Sequence, residues 1–423
     1  MITRLFYCFI LYFYLPFAYF RMWRKGLKSP AYHQRWAERL GFFQAPNNVK
    51  HGICFHCVSV GETNAAIPLI KNVQRQYPQW PITVTTMTPT GSEQVRSAFG
   101  DSVFHVYLPF DTPNAVKRFL AKIRPRLMVI IETELWPNLL HFTRINNTKV
   151  LLANARLSEK SAAGYKKYQH VSREMMSDIN IVAAQNSEDA LRFNQLGLDQ
   201  DKLIISGNIK FDIQLKNELT QKSQRLKKLW AKHRAVWVVG SIHFKEVDSI
   251  IQAFKQVLLV SPDVLLIIAP RHPEFFTEVA NIIENAQLSM RKRSDNMIPQ
   301  ADTQVFLADS MGELLLFWGM ADIAFVGGSL IERGGHNPLE PAAFGLPVLS
   351  GPHVFNFKAI YQLLEQREAV LITNNPQELA TRVLELLHDK AYRESLGHNA
   401  LKVIEENSGA ISKLMFEVEK LLH

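Results

Sequence analysis

The apolar positions of the chain fall into short runs separated by longer amphipathic stretches. HGICFHC (51–57) is one such run, and residues 64–77 follow it with helical spacing. ITVTT (82–86), VFHVYLP (103–109), LMVIIE (127–132) and KVLLANA (149–155) continue the series, with helical stretches between them. Strand-length runs alternating with helices predict a parallel sheet covered on both faces. QLKNELTQKSQRLKKLWAKHR (214–234) breaks the rhythm; it is polar and basic and reads as a connector. The alternation then restarts with AVWVVGS (235–241), VLLIIAP (264–270), QVFLADS (304–310), ADIAFVGGS (321–329), LPVLSG (346–351) and AVLIT (369–373). The pattern predicts two α/β domains, 25–213 and 231–423, joined by a linker at 214–230. The tail 376–423 reads as helices, and periodicity does not say which half it covers.

The first 24 residues stand apart. LFYCFILYFYLPFAYF (5–20) carries no charge, and the stretch after it holds Arg21, Arg24, Lys25, Lys28, Arg35 and Arg39 against one acid, Glu38. The run is a little shorter than the ~20 residues of a spanning helix. It is too aromatic for a cleaved signal, and no small-residue cleavage site follows. An uncleaved anchor fits, spanning the membrane or lying in its interface, with the basic flank on the cytoplasmic side beside anionic lipid.

The length of 423 residues exceeds what one hydrophobic core usually serves, about 250–300 residues. The net charge of +9 admits nucleic acid, membranes or anionic substrates as partners. There is no basic patch interleaved with stacking aromatics, which argues against nucleic acid. Three cysteines, Cys8, Cys54 and Cys57, are too few for a disulfide framework. Cys54 and Cys57 are three apart on an expected strand, so they point to opposite faces and do not form a metal clamp. The one D-x-D, at Asp199 and Asp201, sits in the loop GLDQDKL and reads as a solvated turn. No metal site is expected.

Ligands of open α/β sheets bind beyond the carboxyl ends of the strands, and with two such domains a cleft between them is the natural site. Polar signals do sit at those ends. Glu62 in SVGET stands at a helix mouth; with Thr63 as the cap, the helix dipole favours its ionised form. It can be a general base or simply a helix-stabilising charge. Glu132 closes LMVII, where an acid is costly without polar partners. Lys210 in SGNIKFD can neutralise a developing anion or pair with Asp212. In the second half, Pro270 and Arg271 end a strand, and Arg suits phosphate. Met311, Gly312 and Glu313 resemble a phosphate-binding helix start. Gly327, Gly328, Gly334 and Gly335 let backbone approach a ligand. Asn337, Pro338, Leu339 and Glu340 read as a capping box that can also hold ribose.

Taken together, SVGET, TMTPTGSE, ETELWPN, NARLSEKSAAGY, SGNIKFD, APRHPE, DSMGEL and FVGGSLIERGGHNPLEPAAFGLPVLSGPHVFNF resemble the 3-deoxy-D-manno-octulosonic acid (Kdo) transferases of lipopolysaccharide synthesis. The resemblance runs over nearly the whole chain. It implies a GT-B glycosyltransferase fold, two Rossmann-like domains facing a cleft behind an N-terminal anchor helix. It implies CMP-Kdo as donor and the lipid A precursor lipid IVA as acceptor, at the cytoplasmic face of a bacterial inner membrane. By this resemblance Glu62 is the proton acceptor, and Glu132 and Lys210 stabilise the transition state. Pro270, Arg271, Met311, Gly312, Glu313, Asn337, Pro338, Leu339 and Glu340 bind the CMP of the donor. Neither cofactor nor metal is implied; CMP-Kdo is a substrate. Two other readings compete: a glycosyltransferase or epimerase using another nucleotide sugar, and a membrane-attached nucleotide-binding module without catalysis. No motif encodes how many Kdo residues are added.

Overall fold

The computed structural model describes residues 2–423, with side chains from residue 4 onward. The chain forms two compact units, one running up to Asp212 and including Ser408–His423, the other Ile213–Asn407.

The first unit is built on seven parallel strands: β1 (Ile53–His56), β2 (Ile82–Thr86), β3 (Phe104–Tyr107), β4 (Leu127–Ile131), β5 (Lys149–Ala155), β6 (Ile181–Ala184) and β7 (Leu203–Ile205). Their order is β3-β2-β1-β4-β5-β6-β7, so the direction of winding reverses between β1 and β4. Alternate residues feed two cores, one on each face. Cys54, Met128, Ile130, Val150 and Leu152 enter one; Ile53, Phe55, Val129, Ile131 and Leu151 enter the other. Cys54 and Cys57 accordingly lie in different cores, as their spacing requires.

The second unit repeats the plan with β8 (Val236–Ile242), β9 (Leu265–Pro270), β10 (Met290–Lys292), β11 (Val305–Leu307), β12 (Ile323–Val326), β13 (Val348–Ser350) and β14 (Val370–Ile372). Its order, β10-β11-β9-β8-β12-β13-β14, reverses between β8 and β12. Apolar clusters again cover both faces.

The boundaries differ from those expected at two places. The polar stretch at 214–230 is the helix Asn217–Trp230, not a free linker. Trp230 anchors it, its ring 4.5 Å from that of Phe306. Leu219, Leu226, Leu229 and Trp230 are a sparse periodic signal in a basic helix, but a buried indole covers a large area. The terminal helix Ala410–Leu422 belongs to the first unit, where Ala410, Ile411, Leu414 and Val418 complete a core. The Asp212 carboxylate accepts from the backbone N–H groups of Gly409 and Ile411 and caps this helix.

The N-terminal helix, α1 (Ile2–Gly26), has two stripes. Tyr7, Cys8, Ala18 and Tyr19 face the first unit. The Tyr7 hydroxyl donates to Asp111 Oδ2 at 3.0 Å, Cys8 Sγ meets Asn138 Oδ1 at 3.4 Å, and the Tyr19 hydroxyl donates to the Trp36 carbonyl at 3.3 Å. Leu5, Phe6, Phe9, Ile10, Phe13, Phe17 and Phe20 are exposed on the other side. Contacts from Tyr7 to Tyr19 mean that α1 lies along the domain for about 18 Å, at 1.5 Å per residue. Among the described residues, Arg4–Gly26 is the helix long and apolar enough to cross a membrane. The basic flank is smaller than its sequence implies. Arg21, Arg24, Lys25 and Lys28 are exposed, but Arg35 and Arg39 turn inward and stack on Tyr107 at 4.5 and 4.0 Å.

Candidate active site

Glu62 stands where β1 gives way to α2 (Val60–Gln76). The cap is Ser59 rather than Thr63: Ser59 Oγ accepts the Glu62 N–H at 3.3 Å and donates to Glu62 Oε1 at 2.9 Å. Glu62 Oε2 in turn accepts the Val58 N–H at 2.7 Å. Ser59 thus caps the helix, and its hydroxyl together with the Val58 N–H fixes the carboxylate at the third helical position. Glu62 is only 8% exposed. Burial raises its pKa, against the hydrogen bonds from Val58 and Ser59, and the charge of Glu132 raises it further. The sequence expectation of a carboxylate favoured by the helix dipole is reversed here, because desolvation outweighs the N–H groups.

Glu132 follows β4, the strand beside β1, so Glu62 and Glu132 flank the reversal point of the first sheet. Its φ of +62° is rare for a residue with a side chain and occurs at functional turns. Its N–H is held by the Ala153 carbonyl at 3.0 Å. Lys210 reaches the same carboxylate, Nζ to Glu132 Oε1 at 3.7 Å. Asp212, the other partner that the sequence offers Lys210, is occupied with capping the terminal helix. The turn carrying Lys210 is clamped by two asparagines: Asn208 Oδ1 accepts the Lys210 N–H, and Asn154 Oδ1 accepts the Ile209 N–H. Glu134 completes the group. Burial, then the charge of Glu62, push its carboxyl up to about 7, against a hydrogen bond from Trp136 Nε1 at 3.0 Å.

In the second unit, Arg271 follows β9, exposed, with its N–H on the Ile242 carbonyl at 2.9 Å. Burial raises the pKa of Glu340, opposed by a hydrogen bond from Asn337 and by the charge of Arg271. This places Arg271 and the 337–340 segment in one electrostatic neighbourhood. Asn337 Oδ1 accepts the Leu339 N–H at 3.2 Å, ahead of the five-residue helix Leu339–Ala343. Met311 and Gly312 are open; Gly312 has φ +82° and no atom within 4 Å of where a Cβ would stand. Glu313 is clamped in two-pronged fashion by Arg293, at 2.9 and 3.0 Å, which lowers its pKa. The helix behind it, Leu314–Trp318, is a single turn, so side chains and not a long dipole set the field there.

The glycine loop works differently from its sequence appearance. The N–H groups of Gly328, Ser329 and Leu330 do not project toward a ligand. They bind the carboxylate of Glu246 at 2.7, 2.9 and 2.9 Å, and the His243 N–H joins them at 2.9 Å. Gly327, Gly334 and Gly335 make room for Ile242, for Phe355 with Asn356, and for the 353–354 backbone, respectively. Sequence reasoning missed Glu246. The signal was present in HFKE, an acid three residues past the capping position His243, the same spacing as Glu62 has from Ser59 in SVGE.

A family model described as 3-deoxy-D-manno-octulosonic-acid transferase matches residues 34–213, and one described as glycosyl transferases group 1 matches 220–403. The chain is 45% identical to the 3-deoxy-D-manno-octulosonic acid transferase of Haemophilus influenzae over 392 residues, 92% of each protein. The chain belongs to the Kdo transferase family. It is thus a glycosyltransferase of lipopolysaccharide biosynthesis with two α/β domains of GT-B type. A solved domain, described as the C-terminal CMP-Kdo binding domain of the Acinetobacter baumannii protein, is 37% identical, covering 45% of this chain and 99% of its own, with a TM-score of 0.43. A glycosyltransferase from Rickettsia africae shares the fold at 14% identity, over 88% of this chain and 99% of its own, with a TM-score of 0.55.

Within this Kdo transferase, Glu62, Glu132 and Lys210 lie at the carboxyl ends of strands of one sheet. Pro270, Arg271, 311–313 and 337–340 lie at the carboxyl ends of strands of the other. Among the described residues, no group of three or more His, Cys, Asp or Glu is placed to hold a metal ion.

Proposed function

We propose that the chain transfers Kdo from CMP-Kdo to lipid IVA by a single inverting displacement, with Glu62 as general base. The observation that carries this is the buried, raised carboxyl of Glu62, fixed by Ser59 and Val58 and flanked by the Glu132–Lys210 pair. A base works best with a pKa drawn toward the working pH, and burial draws Glu62 that way. Ionised Glu62 takes the proton of an acceptor hydroxyl, the oxygen attacks the anomeric carbon, and CMP leaves from the opposite face. Lys210 supplies a cation for the sugar carboxylate or the developing charge, and Glu132 holds it in place. Arg271 and the polar groups at 311–313 and 337–340 hold CMP. We expect no metal requirement, since these groups and Lys210 supply the positive charge and donors that the departing phosphate needs.

The acceptor is a lipid, and α1 fits the task of keeping the enzyme beside it. We assign α1 to the interface of the inner membrane's cytoplasmic leaflet. Its inner stripe is committed to polar partners, Asp111 and Asn138, which a helix spanning hydrocarbon would forfeit. Arg21, Arg24, Lys25 and Lys28 then face anionic lipid.

The experiment is a mass spectrum of the lipid product after incubation of the purified protein with lipid IVA and CMP-Kdo, chelator included. A gain of one or more Kdo units is expected, and its size gives the number added. A folded protein that binds CMP and leaves lipid IVA unchanged would overturn the assignment of acceptor or reaction. Activity with UDP-sugars and none with CMP-Kdo would transfer the reading to another donor.

A further inference from the structure

Three imidazoles stand at the carboxyl ends of central strands of the second unit, and the reaction as described gives none of them a task. His243 follows β8, His272 follows β9, and His336 lies in the loop beyond β12. β8 and β12 are the neighbours between which the sheet order reverses, the position where open α/β sheets take their ligands.

His243 Nε2 and His336 Nε2 are 3.1 Å apart, and the two rings lie 11° from parallel. A hydrogen bond between two imidazole nitrogens needs one donor and one bare acceptor, so a single proton sits between them. The surroundings are shaped around the pair. A Cβ on Gly328, whose φ is +71°, would stand 2.8 Å from His336 Cδ2 and 3.4 Å from His243 Cδ2. The backbone N–H of His336 binds the Gly327 carbonyl at 3.1 Å, and Glu246 holds the backbone of His243 and of Gly328.

The electrostatic setting is cationic. Arg271 and His272 act on both rings, and Arg333 acts on His243. Of the carboxylates, Glu246 favours a proton on His243 but is already surrounded by four N–H groups, and Glu274 pairs with His272 at 3.6 Å. Burial, then the neighbouring positive groups, lower His336 to about 4; burial also lowers His243. The ring pair is therefore uncharged at neutral pH while no ligand is present. An anion seated against it offsets the repulsion from Arg271 and favours a second proton.

We propose that His243 and His336 form an oxyanion-receiving couple for the donor, which takes one proton from solvent as the donor's charged group seats. The oxyanion is the phosphate of CMP or the carboxylate of the sugar joined to it. The inference rests on the reading of the second unit as the CMP-sugar site.

The test is calorimetric titration of the full-length protein with CMP, and with CMP plus free Kdo, from pH 7 to 8.5. Two buffers of different ionisation enthalpy are compared. The phosphate, whose second pKa is about 6, is mainly dianionic throughout, and its residual titration releases protons rather than taking them up. Net proton uptake is expected, with affinity weakening by up to about tenfold per pH unit, the limit for one linked proton. The effect with CMP alone assigns the couple to the phosphate; the effect only with Kdo present assigns it to the carboxylate. His243→Asn and His336→Asn should flatten the slope, their affinities meeting that of the native protein at the alkaline end. Binding without uptake or slope in the native protein would overturn the inference and leave the nucleotide site standing, as would a slope that persists in both variants. Absence of CMP binding at every pH would overturn the donor reading itself.

Discussion

Glu246→Ala strips four backbone N–H groups of their acceptor at once. The carboxylate is 1% exposed and receives the N–H groups of His243, Gly328, Ser329 and Leu330 at 2.7–2.9 Å. Hydrogen bonds to a charged group contribute about 1.5–3 kcal/mol each. A simple sum of about 6–12 kcal/mol overstates the loss, because alanine also removes the cost of burying a charge and water can enter the space. A net loss of about 3–6 kcal/mol remains, against a typical domain stability of about 5–15 kcal/mol. The second unit should then sit near its unfolding threshold while the first keeps its stability. Glu246→Gln retains one oxygen but turns an NH2 toward two of the donors, and should lose about 2–4 kcal/mol by the same reasoning. Denaturant unfolding followed by hydrogen exchange, read over peptides covering 243–247 and 326–331, measures both. The reasoning is refuted by a Glu246→Ala protein that unfolds within about 1 kcal/mol of the native one and protects those peptides equally well.

Other outcomes follow from the first unit. Glu62→Gln should lower kcat by about 10²–10⁴-fold with CMP affinity unchanged, measured by product formation and calorimetry. As the proposed base, Glu62 would act only when ionised, and its pKa is raised, so activity should fall as the pH drops, along a limb lying above the usual carboxylate value; Glu132→Gln, which removes a charge that raises Glu62, should move that limb to lower pH. Lys210→Met should cut kcat at least ~10-fold yet change stability by no more than about 1 kcal/mol, since the pair with Glu132 is partly solvated. Asp212→Ala removes the cap of the terminal helix, and should cost about 1–2 kcal/mol and hasten proteolysis near residue 408. Molar salt should loosen vesicle binding without releasing the protein, because the aromatic face of α1 stays apolar; complete release by salt would contradict the assignment of α1.

Long apolar runs bounded by polar turns made most strands legible, from ITVTT to VLLIIAP. Ile181–Ala184 and Met290–Lys292 were not: the first is half alanine and the second carries two charges in three residues, both weak β signals. Residues Glu62, Glu132, Lys210 and Arg271 were visible because each interrupts or follows an apolar run where polarity is costly. What they touch was not visible. Ser59 and Thr63 are equally good caps by type, and only the fold shows that Ser59 takes the position. The glycine loop misled for a related reason: sequence reveals that backbone must pass closely there, not whether the neighbour is a ligand or the buried Glu246. His243 and His336 are 93 residues apart, and only the reversal in strand order brings them together.

The return of the last helix to the first unit sets an order of events during synthesis. The ribosome makes Asp212 early, but the N–H groups that its carboxylate caps lie up to 199 residues later. At about 5–20 residues per second that interval lasts roughly 10–40 s. The second unit has its whole sequence before the first has its final helix, so the domain begun first is finished last. Until then, the apolar surface that Ile411, Leu414 and Val418 will cover stays open, on a nascent chain whose amino-terminal aromatic helix is already out. Early arrival of that helix at a membrane surface would shelter the unfinished domain from other chains while it waits for its last sixteen residues, Ser408–His423.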